Sequence, residues 1–137
     1  MVFSVEEARP LYGGADSVHD FDHVVRVFRL VEHIGKAEGA DLEVLRPAAL
    51  LHDWGRGEAE SNARDHASEA AVRTRRLLRE RAERPDVIDA VTHAIAAHRF
   101  RSGPEPQTLE AEVLFDADKL DAIGAVGIAR VFAFSGV

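Results

Sequence analysis

Three features of the sequence predict an all-α fold. Apolar residues recur at steps of three and four over most of the chain, no segment alternates apolar and polar residues as a half-buried strand does, and the periodic stretches are separated by Gly, Pro and residues with helix-capping side chains. Val24, Val27, Phe28, Val31 and Ile34 form the first stripe, so residues from about 18 to 38 make an amphipathic helix that ends near Gly35 or Gly39. Asp41 can cap a second helix, running through Leu45, Ala48, Ala49 and His52 and broken by Gly55 and Gly57. The segment "GRGEAESNARD" reads as a loop. A third helix is expected from about Asp65 to Arg84, stopped by Pro85, after which Asp86 caps a fourth containing Val87, Ile88, Val91, Ile95 and His98. "RSGPEPQ" is a turn-rich connection. Thr108 with Ala111 and Glu112 opens a fifth helix, and Gly124 and Gly127 loosen the stretch from Ile123 to Phe134, which keeps helical character. There is no repeat and no low-complexity segment.

Composition narrows the function. The 137 residues suit one domain with a real core, and 46% hydrophobic with 30% charged residues is the balance of a globular chain. A net charge of -7 argues against a general phosphate-backbone binder, so no stable nucleic-acid binding is expected, although an acidic chain can hold a local cation site. Cysteine is absent, which removes disulfides, thiolate metal sites and cysteine nucleophiles and accords with a reducing compartment. The opening "MVFSVEEARPLYGGADSVHD" lacks a basic start followed by an apolar core, and no run approaches the roughly eighteen apolar residues of a membrane span. The expectation is a cytoplasmic protein without a membrane partner. Any metal must sit on histidines and carboxylates.

Those residues fall on inner faces. His52 follows Leu45, Ala48 and Ala49 at +7, +4 and +3, which continues the buried stripe, and Asp53 is rotated from it by about 100°. His23 borders the stripe of the first helix, and Asp118 follows Ala111, Leu114 and Phe115 at +7, +4 and +3. A lone histidine on an apolar stripe is usually a hydrogen-bonded core residue. Two histidines and two acids from three helices are instead what a divalent cation wants: Mn, Fe, Co, Ni or Zn, or Mg where oxygen ligands dominate.

The chain resembles the HD-domain superfamily of metal-dependent phosphohydrolases, whose pattern is a first His, an adjacent His-Asp pair and a distant Asp. The matching residues are His23 in "HDFDHVVRV", His52 and Asp53 in "LLHDWG", and Asp118 in "LFDADKLDAIGAVGIAR", within about residues 19–130. The resemblance implies a single HD domain over 1–137, a bundle of five to six helices, and one divalent ion on those four residues. It also implies hydrolysis of a phosphoester or phosphoanhydride, with motifs like those of a bacterial subgroup active on nucleotides. Members of that subgroup usually continue with further helices, whereas this chain stops at "VFAFSGV", which bears on how the pocket is closed and not on the four ligands.

Other residues carry two readings each. Asp53 or His66 is expected to orient or deprotonate the attacking water, and in the resemblance a His at the place of His66 faces the pocket; the bland alternative is a helix-start residue. His98 lies at +10, +7 and +3 from Ile88, Val91 and Ile95 and points inward, which makes it the candidate to meet substrate, while His93 falls off that stripe and is expected in solvent. Lys119 and Arg26 can meet substrate phosphate, or snorkel and pair with the surplus acids. His19, with Asp20, is either an outer partner that orients the ligands, a phosphate-side group, or part of a helix opening whose acid suits the dipole. Trp54 can stack on a base or simply pack. The run "VRTRRLLRERAER" is read as a solvated face because Glu80 and Glu83 interleave it. The substrate expected is a small phosphorylated molecule, a nucleotide first, and a homo-oligomer is compatible with the sequence. Two rivals remain: a nucleotide-sensing module that binds metal without turnover, and a helical adaptor with buried polar pairs.

Overall fold

The structure, a computed structural model, describes residues 3–13, 17–55, 66–99 and 103–135, with side chains for all of these except 17–19 and 125–135. The described residues form six α-helices and one short 3-10 turn and contain no strand, so the all-α expectation holds. The helices are α1 (Val5–Ala8), α2 (Ser17–Glu38), α3 (Leu42–Leu51), α4 (His66–Glu80), α5 (Pro85–Ala97) and α6 (Leu109–Ser135), with the 3-10 turn at Arg9–Leu11.

Local chemistry explains the ends. Asp41 caps α3 by accepting the Glu43 N–H at 2.9 Å, and Thr108 Oγ1 accepts the Ala111 N–H at 3.1 Å at the start of α6. α2 ends on Gly39, whose φ of 75° lets the Ala40 N–H reach back to the Gly35 carbonyl at 2.9 Å. Gly35 itself lies inside α2. A Cβ there would stand 2.5 Å from Leu45 Cδ1, so its smallness sets the close approach of α2 to α3.

Three sequence expectations need correction. The periodicity predicts nothing before α2, yet α1 is present: it is a single turn, too short for a periodic signal, held by a capping box in which Ser4 Oγ accepts the Glu7 N–H at 3.1 Å. The third helix of the sequence reading, α4, ends at Glu80 rather than Arg84. Ala82 adopts φ 56°, and the Glu83 and Ala82 N–H groups donate to the Leu78 and Arg79 carbonyls, both at 3.0 Å, the two bonds of a Schellman ending built on alanine instead of glycine. Asp86 is not the cap of α5. Arg84 stands at the N-cap, Pro85 fills the first helical position where its missing N–H costs nothing, and Asp86 lies in the first turn near the positive end of the dipole. Most of the expected loop "GRGEAESNARD" and part of "RSGPEPQ" lie outside the described residues.

The helices pack so that α2 meets α3 and α6, α5 meets α3, α4 and α6, and α3 also touches α6. Between them lie Val24, Val27 and Val31 of α2, Leu45 and Ala48 of α3, Val91 and Ile95 of α5, and Ala111, Leu114 and Ala117 of α6, all fully buried. One end of this core is polar. There α2, the end of α3, the end of α5 and the middle of α6 bring their histidines and acids together. Among the described residues, no helix is long and apolar enough to cross a membrane.

Candidate metal centre

The polar end begins with the backbone of α3. His52 caps that helix with its backbone still helical, and its side chain, only 1% exposed, would be an orphaned polar group without partners. Its Nδ1–H donates to the Ala49 carbonyl at 2.7 Å, since a carbonyl can only accept. The neutral ring therefore carries its lone pair on Nε2, which faces the neighbouring helices. The turn that follows needs Gly55, whose φ is 95° and whose absent Cβ leaves room for the Arg73 guanidinium 3.0 Å from where it would stand.

Four of the sequence-derived residues meet here. His23 Nε2 lies 2.9 Å from Asp118 Oδ1, and His52 Nε2 lies 3.3 Å from the same oxygen. Asp53, 7% exposed, sits beside them with Oδ2 3.5 Å from His23 Nε2 and 3.6 Å from His52 Nε2. One donor atom each from His23, His52 and Asp118 falls within a 4.8 Å span. His98 joins from the end of α5: it is 4% exposed, its ring stands edge-on to His52 at 5.1 Å, and its Nε2 is 3.9 Å from Asp53 Oδ1. Its Nδ1–H donates to the Ile95 carbonyl, so its lone pair also points into the site.

The charges are strongly coupled. Burial alone would raise the Asp118 carboxyl, but hydrogen bonds from His23 and His52 outweigh it and hold the acid well below the usual carboxylate range. Burial opposes a charge on His52, yet the nearby Asp53 and Asp118 carboxylates win and push its imidazole up to about 9. His23 is raised in the same way against its own burial, by Asp118 and Asp121. His98 goes the other way, pushed down to about 4 by burial and by the neighbouring His52. It is the neutral histidine of the group.

The remaining candidates are placed less centrally. Arg26 grips Asp121 through Nε at 2.7 Å and a second nitrogen at 3.2 Å. Lys119 is exposed, with its ammonium 4.6 Å from the Phe115 ring centroid. His66 opens α4 half-buried, and its buried Nδ1 has no hydrogen-bond partner among the described residues. His19 lies in α2 with its side chain outside the described set, and Asp20 beside it is half-buried. His93 is half-buried, and its Nε2 accepts the Gln107 N–H at 2.9 Å in an exposed hydrogen bond. Trp54 is half-buried and packs on the core, with the Arg73 guanidinium 6.0 Å from its ring.

Two further residues belong to the site although the sequence motifs do not single them out. Asp121 lies 2.6 Å from His23 Nδ1 and is only 11% exposed; its signal is the three-residue step from Asp118, which puts both acids on one face of α6. Tyr12 donates its hydroxyl to the Leu50 carbonyl at 2.7 Å, just before the His-Asp pair, and burial together with the Asp53 charge raises it well above the usual phenol range. No spacing rule points to it.

The donor set fits a borderline divalent cation. Two imidazole nitrogens face inward, the opposite nitrogen of His52 is tied to a carbonyl and that of His23 to a carboxylate, and a carboxylate oxygen closes the group, the arrangement in which outer partners orient metal ligands.

Comparison with known proteins bears on the same region. The profile of the HD domain matches residues 20–123. The uncharacterized protein YpgQ of Bacillus subtilis (strain 168) is 40% identical over 122 residues, which are 88% of this chain and 58% of YpgQ. This chain thus spans little more than half the length of that relative. Ribonuclease Y of Chloroflexus aurantiacus is 35% identical over 98 residues, 72% of this chain and 17% of the ribonuclease. Among solved structures, a predicted HD superfamily hydrolase from an uncultured Thermotogales bacterium superposes with a TM-score of 0.78 at 37% identity, covering 95% of this chain and 72% of the other. Bacillus subtilis YpgQ in complex with ADP superposes with a TM-score of 0.63 at 34% identity, covering 96% and 65% respectively.

Proposed function

Since the chain belongs to the HD-domain family, we propose that it is a metal-dependent phosphohydrolase that cleaves a phosphoester or phosphoanhydride bond of a nucleotide or a related small phosphorylated molecule. The observation that carries the reading is the convergence of His23, His52 and Asp118 donor atoms within 4.8 Å beside the buried Asp53. The ADP complex of YpgQ supports a nucleotide as the ligand class. The absence of cysteine accords with a cytoplasmic setting.

His23, His52 and Asp118 would hold the cation, Asp53 completing the set. Mn, Mg, Fe, Co, Ni and Zn all suit nitrogen and oxygen donors to some degree. Bound there, a divalent ion supplies a water of lowered pKa and polarises a phosphoryl oxygen. The protein groups supply the rest. Asp53 is the acceptor placed for the proton of the attacking water, because its carboxylate is buried at the meeting point of His23, His52 and His98, within 3.9 Å of a ring nitrogen of each. His98, held neutral, keeps an Nε2 lone pair 3.9 Å from Asp53 Oδ1 and can accept a hydrogen bond from water or substrate without adding positive charge. His66 and Lys119 stand as further groups for water and phosphate.

The test is a panel of nucleotides and phosphoesters incubated with each divalent ion, following phosphate and pyrophosphate release, with His52→Ala and Asp53→Ala alongside. Metal-dependent release that both variants lose, together with their bound metal measured by elemental analysis, supports the reading. Nucleotide that binds with metal and is never cleaved would point to a sensing module. Variants that keep a full equivalent of metal would remove the basis of the site.

A further inference from the structure

His23 is flanked by carboxylates on both ring nitrogens. Nε2 lies 2.9 Å from Asp118 Oδ1, while Nδ1 lies 2.6 Å from Asp121 Oδ2. Each helix contributes a pair three residues apart, His23 and Arg26 on α2 against Asp118 and Asp121 on α6, so the two helices meet as a two-rung ladder. The second rung is a fork: Arg26 Nε reaches Asp121 Oδ1 at 2.7 Å and a terminal nitrogen reaches Oδ2 at 3.2 Å, which fixes the carboxylate plane.

We propose that Asp121 is a positioning residue for the metal centre, keeping a proton on His23 Nδ1 so that Nε2 is the nitrogen whose proton a cation displaces, and that Arg26 serves by clamping Asp121 rather than by meeting substrate phosphate. The inference rests on the metal-binding reading of the site. The two histidines differ in what holds the outer nitrogen. A neutral imidazole has one donor and one acceptor nitrogen, and only the acceptor can ligate. For His52 the backbone carbonyl of Ala49 settles which is which, and no side-chain change removes it. For His23 a side chain does that work. Without Asp121 the proton can reside on either nitrogen, and the form with Nε2–H cannot bind a cation. Arg26 is 51% exposed, so its ion pair adds little to folding by itself. Its effect should therefore appear in metal affinity more than in the stability of the metal-free chain.

The experiment titrates Mn2+ alone into the wild type, Asp121→Leu, Asp121→Asn and Arg26→Met, read by electron paramagnetic resonance. Melting of each metal-free protein and the tautomer of His23 by proton–nitrogen correlation NMR, recorded above the pH at which the ring gives up its second proton, accompany it. Asp121→Leu should lose about 10- to 100-fold in Mn2+ affinity, the usual cost of removing an outer partner of a ligating histidine. Asp121→Asn keeps an acceptor and should recover part of that loss, and Arg26→Met should fall between the wild type and Asp121→Leu. The His23 ring should lose its Nδ1–H form in Asp121→Leu, a signature that a merely structural role would not move. If Asp121→Leu does not fold, Asp121→Asn decides: a fall in Mn2+ affinity with part of the His23 population moved off the Nδ1–H form supports the inference, and a fall with the tautomer unmoved overturns it. Wild-type affinity in both Asp121 variants overturns the inference while leaving the metal site standing, as does a loss of affinity with an unchanged tautomer. Unchanged Mn2+ affinity with a raised KM in Arg26→Met overturns the role given to Arg26. A wild type that binds no Mn2+ overturns the metal reading itself, and the inference with it.

Discussion

Metal binding should strengthen steeply with pH, because the cation has to displace a proton from His52. In the folded, metal-free chain that imidazole is pushed up to about 9, against roughly 6.5 in an unfolded chain. The sign follows from the raised value: the protonated ring with its Asp53 and Asp118 partners stabilises the metal-free fold fully below about pH 6.5, and that stabilisation is lost as pH rises through about 9. A ligand on Nε2 competes with the same proton, so between these limits each pH unit should tighten binding up to about tenfold, or ~1.4 kcal/mol. His23 is shifted in the same direction and adds to the slope. At a fixed free Mg2+ or Mn2+ concentration above Kd, the added stability follows RT ln(1 + [L]/Kd). For a chain of this size ~1.4 kcal/mol corresponds to roughly 5 °C. The assay is a thermal melt at pH 6.5, 7.5 and 8.5, with and without the cation. The gap between the two curves should widen by about that amount per unit, and in His52→Gln it should be small and flat. A wild-type gap that is constant over this range would show that no imidazole proton is displaced, and would refute the placement of the ion on His52.

Three further outcomes are expected. Ala82→Gly should raise the melting temperature by a few degrees, since an alanine at φ 56° carries ~1–2 kcal/mol of left-handed strain that glycine relieves, less the entropy glycine adds to the unfolded chain; a fall in melting temperature would show that the strain is absent. Thr74 is fully buried and its Oγ1 has no partner among the described residues, so Thr74→Val, which replaces the hydroxyl by a methyl, should stabilise by about 1 kcal/mol in a urea melt, and destabilisation would reveal a missed partner. His98→Ala should cut turnover far more than His93→Ala, because the first ring borders Asp53 and the second only accepts the Gln107 N–H; equal losses in kcat would count against the role given to His98.

Much of the site is legible in the sequence because helix phase is a local property. Leu45, Ala48 and Ala49 point the same way as His52 by the 3.6-residue period, and His52 is 1% exposed; the same reasoning turns Asp118 and His98 inward. Caps are legible when a side chain does the capping, as at Asp41 and Thr108. The end of α4 is not, because its left-handed residue is Ala82, and alanine carries no mark of that conformation. Pro85 begins α5 instead of only stopping the helix before it, since a proline can do either and the backbone preceding it decides.

The sequence by itself determined the helical class, the faces of the helices, and the residue types able to hold a cation without cysteine, since composition and periodicity need no knowledge of distant neighbours. The tertiary structure alone decided how those residues differ. His52 and His98 are both buried histidines bonded through Nδ1 to a carbonyl three residues back, yet one is pushed up to about 9 and the other down to about 4. It also matched Asp121 to His23, 98 positions apart in the chain. The reason is physical: charge interactions depend on separations of a few ångströms between side chains from different helices, and those separations exist only after α2, α3, α5 and α6 have packed.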